Sequence, residues 1–106
     1  MRRFLPLLLL AGCASEQRIQ QRWDEYVSEH NSCELASDCA IVSPGCPLDC
    51  WSAVSVNDVD EAEQTAERLI RRYEGFGRSC DYGCLAPGEL SCEAGTCTIG
   101  PADTGL

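Results

Sequence analysis

Eight cysteines between positions 33 and 97 constrain this chain more than any other feature. Cys33, Cys39, Cys46 and Cys50 precede the one long helical stretch, and Cys80, Cys84, Cys92 and Cys97 follow it. A chain of 106 residues is too short to bury a large core, so a set of this size reads as the staples of a small domain. The even count predicts four disulfides. Eight cysteines admit 105 pairings, and the spacing does not choose among them. A bridge that crosses the helical stretch would close a loop of some tens of residues and contribute roughly 3 to 4 kcal/mol in the chain-entropy picture.

A ninth cysteine, Cys13, stands apart at the end of the apolar run Phe4 to Leu10, behind Arg2 and Arg3. A basic start, a short apolar segment and small residues form an export signal, and the run falls well short of the about 20 residues a membrane-spanning helix needs. Leu10-Ala11-Gly12-Cys13 resembles the lipobox of bacterial lipoproteins. The resemblance implies cleavage between Gly12 and Cys13, a diacylglyceryl thioether on the Cys13 sulfur and acyl chains, palmitate among them, that hold the protein on a membrane. Residues 1–12 are then a signal peptide, 13–99 a single cysteine-rich domain and 100–106 a flexible tail. In a Gram-negative cell, Ala14 in place of an aspartate after the lipidated cysteine implies the outer membrane. The competing reading, a conventional secretory cleavage at the same small residues, leaves Cys13 as an unexplained thiol.

Charge narrows the partners. Without Arg2 and Arg3, six basic side chains, all arginine, stand against seventeen acidic ones, a formal charge of −11. Such a surface repels nucleic acid, so none is expected as a partner, and attachment to a membrane falls to the acyl chains, at about 0.8 kcal/mol per buried methylene.

The elements predict an α+β domain with two helices and short antiparallel strands or hairpins. Ile19, Trp23, Tyr26, Val27 and His30 recur at helical spacing over 15–31, with Ser15 as N-cap. The second helix spans 57–74: Asn57 is the expected N-cap, and Asp58, Asp60 and Glu61 complement the positive end of the dipole. Arg71 and Arg72 complement the negative end, Gly75 marks the stop, and Val59, Ala62, Ala66, Leu69, Ile70 and Tyr73 form the buried face. "CAIVS" and "WSAVSV" read as strands around the turn-rich "PGCPLDC", and "LSCE" with "TCTI" as a hairpin closed by Ala94-Gly95.

Sites of chemistry are few. C-x3-C at Cys46/Cys50 and again at Cys80/Cys84 has the spacing of a four-thiolate zinc site and of the helical hairpins of mitochondrial import chaperones. Pro47 and Gly83 oppose the helices that spacing needs, and an exported chain favours disulfides. No metal or cofactor is expected, nor a thiol oxidoreductase, which needs C-x-x-C at a helix start. The single histidine, His30, reads as a helix C-terminal residue. Ser28 and Ser32 are too close along the chain to converge with it as a nucleophile, and no G-x-S-x-G occurs. Asp58, Asp60, Glu61 and Glu63 lack calcium-loop spacing, and Arg68, Arg71, Arg72 and Arg78 form a small basic group. No catalytic set is expected, which leaves a lipid-anchored, non-catalytic binding or structural module facing a protein partner. A second reading makes Pro47, Leu48 and Asp49 an exposed protease-inhibitory loop between Cys46 and Cys50.

Overall fold

The computed structural model describes residues 15–75, 77, 80–81 and 83–101. Gly12, Cys13 and the rest of the segment 1–14 lie outside the described residues, as does 102–106. The fold is α+β: α1 (Ser15–Glu29), β1 (Cys39–Val42), β2 (Ser52–Ser55), α2 (Val59–Glu74), β3 (Leu90–Glu93) and β4 (Thr96–Ile99). Single 3-10 turns at Ala36–Asp38 and Val56–Asp58 lead into β1 and α2.

Both helices form where the apolar spacing places them. α1 stops at Glu29, two residues short of the expected end, because Asn31 to Cys33 turn away to pair with the last strand: Cys97 N–H donates to Asn31 O at 2.8 Å and Cys33 N–H to Gly95 O at 3.0 Å. Ser15, expected as the cap, lies within the first turn. α2 starts at Val59 and not at Asn57, which belongs to the preceding 3-10 turn, and the residue before the helix is Asp58, which makes no side-chain capping bond. The helix ends as expected at Glu74. Gly75 keeps right-handed geometry, and the left-handed residue is Gly77, whose N–H donates to Glu74 O at 2.9 Å.

The two strand pairs are antiparallel hairpins. β1 pairs with β2 in the register Cys39↔Ser55 to Val42↔Ser52, and β3 with β4 from Leu90↔Ile99 to Glu93↔Thr96. Strand alternation splits the first pair between two cores. Val42, Val54 and Ser52 face the helices, while Cys39 and Ala53 face the second hairpin. The larger core holds Ile19, Trp23, Val42, Leu48, Val54 and the buried stripe Ala62, Ala66, Leu69 and Tyr73 of α2. Trp23 at its centre is 0% exposed, and its indole N–H donates to Ser52 Oγ at 2.9 Å, which satisfies both buried polar groups. The smaller core is built around Cys39, Cys97 and Ala53, with Cys33, Leu90, Cys92 and Ile99 packed against it. Helices, first hairpin and second hairpin thus stack as three thin layers.

The end of α1 lies beside the start of α2. Tyr26 Oη donates to Glu61 Oε1 at 3.0 Å and His30 Nε2 lies 3.5 Å from the same oxygen, so the helices run in opposite directions. No helix among the described residues is long and apolar enough to cross a membrane.

Candidate functional site: the bridged frame and the surfaces it leaves open

All eight cysteines of the described domain are paired: Cys33–Cys92, Cys39–Cys97, Cys46–Cys80 and Cys50–Cys84. Every bridge joins the segment before α2 to the segment after it. Cα separations of 5.7 to 6.0 Å are those of ordinary disulfides. Sequence separations of 59, 58, 34 and 34 residues give about 4 kcal/mol for each loop closed on its own, and less in sum because the loops overlap. Four such bridges belong to an oxidising compartment outside the reducing cytosol.

The bridges also answer the metal question at these positions. The two C-x3-C motifs do meet, as a zinc site would require, but Cys46 and Cys50 are covalently joined to Cys80 and Cys84, and a bridged sulfur offers no thiolate. The Sγ atoms of Cys33, Cys39 and Cys97 lie within 4.8 Å of one another for the same reason, as members of two adjacent bridges. The described residues of neither motif are helical, so the import-chaperone likeness ends at the spacing.

The segment expected to present an inhibitory loop does the opposite. Gly45 N–H donates to Asp49 O at 3.1 Å and Leu48 N–H to Gly45 O at 2.8 Å, closing a tight turn whose Cys46–Pro47 peptide is cis. Its tip points inward. Pro47 is fully buried, Leu48 is 7% exposed and packs into the larger core, and Gln20 Nε2 donates to Pro47 O at 2.9 Å. Of the three residues only Asp49 faces solvent, and its Oδ1 accepts the N–H of Cys50 at 2.9 Å. A protease subsite takes a protruding side chain, and Leu48 has none to give; the loop is a plug that closes the core.

His30 has the helix-terminal role its position suggests, with an addition. Its ring stacks on Tyr26 at 4.0 Å between centroids and 14° between planes, Nδ1 donates to Tyr26 O at 2.7 Å, and Nε2 faces Glu61. Tyr26 in turn stacks on Trp23 at 5.6 Å. Burial first, then the hydrogen bond to the Glu61 carboxylate and its charge, pushes the Tyr26 phenol well above the ordinary tyrosine range. Ser28 Oγ donates to Glu25 O at 2.8 Å instead of approaching the imidazole, and Ser32 offers its carbonyl to Ser55 Oγ. Trp51 is partly exposed and donates to Leu85 O at 2.7 Å, which ties the segment after α2 to the start of β2.

An open groove of about 500 Å³ lies between the helices. From α1 it takes Arg22, Glu25, Tyr26 and Glu29, and from α2 Thr65, Arg68, Leu69 and Arg72. Each set has the i, i+3, i+4, i+7 spacing of one helix face. The sequence picked out the α2 arginines but gave no sign that Arg22 joins them, since the two helices are linked only through the fold. Among the described residues, Arg71 pairs with Glu67 at 3.8 Å on the exposed side, while Arg22, Arg68 and Arg72 have no carboxylate within 4 Å. Arg68 Nη2 donates to Thr65 Oγ1 at 3.3 Å. Compared with protein-family models, with curated proteins and with solved structures, the chain has no match in any of the three.

Proposed function

We propose that this protein is a lipid-anchored component of the bacterial cell envelope whose disulfide-stapled domain acts as a binding or structural module without chemistry of its own. The observation that carries the reading is the pairing of all eight cysteines from Cys33 to Cys97 in four bridges. Cys13 therefore has no partner among them, and a lone cysteine directly after an apolar export signal, in the setting Leu10-Ala11-Gly12-Cys13, suits a lipid attachment point. The bridges support export, because thiols kept in the cytosol stay reduced.

The module reading draws on what surrounds the candidate groups. His30 is engaged by Tyr26 and Glu61, and the eight cysteines are bridged. With Ala14 after the anchor, the address in a Gram-negative cell is the outer membrane.

Intact mass of the protein extracted from membranes tests this in one measurement. The expected species begins at Cys13, carries two or three acyl chains and lacks eight protons relative to the reduced chain. A Cys13→Ser variant should leave the acylated membrane pool; one that acquires the same acyl mass would overturn the anchor.

A further inference from the structure

The groove between the helices is electrically lopsided, and the direction of the lopsidedness follows from helix geometry. Glu61 near the start of α2 is level with Tyr26 and His30 at the end of α1. At 1.5 Å per residue, Arg68 and Arg72 lie about 10 and about 16 Å further along α2, toward the start of α1, and Arg22 lies about 6 Å back from Tyr26 in the same direction. Arg18 is one turn further back on α1, and Arg71 is on the last turn of α2. Of the six arginines that follow the export signal, four, Arg18, Arg68, Arg71 and Arg72, therefore lie in the half of the helix pair where α1 begins and Arg22 lies at the middle of α1, in a chain with no lysine and a large acidic excess. Glu25 and Glu29 line the groove from Arg22 toward the opposite end, where Glu61 also stands.

Arg68 and Arg72 are four residues apart on one face, a like-charge spacing that weakens a helix slightly unless an anion sits between them. Arg22 faces the same groove from α1. Three guanidiniums without carboxylate partners among the described residues, beside the hydroxyl of Thr65, form a surface for a phosphate.

We propose that Arg22, Arg68 and Arg72 seat phospholipid headgroup phosphates and so set the orientation of the domain on the membrane. This rests on the lipid anchor proposed above: Cys13 is two residues before Ser15, so the attachment point is within about 7 Å of the start of α1, at the arginine end. The acidic excess of the whole chain would otherwise push the domain away from an anionic leaflet, and the arginines turn one end of it toward the lipid.

Arginine labelling with phenylglyoxal, read residue by residue by mass spectrometry, tests the proposal on the native acylated protein, whose intact mass is measured first so that a failed anchor is recognised before labelling begins. The protein is compared in phosphatidylglycerol vesicles and in a phosphate-free glycoside detergent, the latter with and without inorganic phosphate. Labelling of Arg22, Arg68 and Arg72 is expected to slow by about fivefold in vesicles, the ratio that corresponds to about 1 kcal/mol per arginine at an anionic surface. The outward-facing Arg71 should change less. Equal labelling of the three in vesicles and detergent overturns the proposal, and so does equal protection by inorganic phosphate in detergent, which would make the groove a site for a soluble oxyanion. An Arg22→Gln, Arg68→Gln, Arg72→Gln variant that folds and leaves the vesicle protection of Arg18 unchanged would also refute it.

Discussion

Truncation of Leu48 separates a plug from a presented loop more sharply than any binding experiment. In Leu48→Ala three carbon atoms leave the larger core, a transfer loss of about 2.4 kcal/mol at about 0.8 kcal/mol per methylene. A cavity term adds to this where the surroundings cannot relax, and core Leu→Ala changes span about 2 to 5 kcal/mol in total. Here relaxation is restricted, because the turn from Gly45 to Asp49 is held by its own hydrogen bonds and flanked by the bridges at Cys46 and Cys50. The slight exposure of the side chain, 7%, argues for the middle of that range. We therefore expect a loss of about 3 kcal/mol, a drop in midpoint of roughly 12 to 24 °C for a domain of this size. The assay is thermal and guanidinium unfolding of the full chain with all four bridges intact, oxidation confirmed by mass before and after. A change within about 0.5 kcal/mol, the scale of a surface substitution, would refute the burial of Leu48 and restore the loop as a presented element.

Three further outcomes follow from local geometry. Ala94 and Gly95, at the tip of the second hairpin, both have positive φ, 53° and 81°, a two-residue turn that suits Asn-Gly and strains alanine; Ala94→Asn should stabilise the domain by about 0.5 to 1 kcal/mol in denaturant unfolding, and a loss would speak against that turn. Tyr26 has its phenol pushed up by burial and by Glu61, so its neutral form stabilises the fold fully below the ordinary tyrosine value of about 10 and this contribution fades as pH rises beyond it. Tyr26 should therefore form phenolate late in an alkaline ultraviolet titration, and Tyr26→Phe should remove its late phase. Asp38 is held below the usual carboxylate range by the N–H groups of Leu35 and Glu34, at 3.0 and 2.9 Å, so its contribution is present above a pH of about 4 and lost as pH falls through the folded value; Asp38→Asn should flatten the acid end of the stability profile, and an unchanged profile would count against the pair of bonds.

Local pattern foretold local structure well. The buried stripe of α2 follows its apolar spacing, and the hairpin around Ala94-Gly95 has the strands read from "LSCE" and "TCTI". Departures occur where distant segments compete for the same atoms. Asn57 loses its capping role because the chain leaving β2 tightens into a 3-10 turn, and α1 gives up its last expected residues to pairing with β4. Leu48 sits among prolines, glycine and cysteines that signal a loop, and nothing in such a stretch distinguishes an outward tip from an inward one. Its burial is decided by the helices packed over it. Partner choice among the cysteines and the meeting of Arg22 with Arg68 and Arg72 are likewise products of tertiary packing, and single-chain periodicity carries no record of them.

That every bridge spans α2 has a consequence for biogenesis. Up to residue 79 the chain holds Cys33, Cys39, Cys46 and Cys50 of the bridged set and not one native partner for any of them; the first correct bond becomes available only with Cys80, and the last only with Cys97. A disulfide formed earlier between any two of Cys33, Cys39, Cys46 and Cys50 is non-native and must be undone by thiol exchange. A chain that stops before α2 ends thus has no native bridge it can form, and the fold is locked covalently only from its far end.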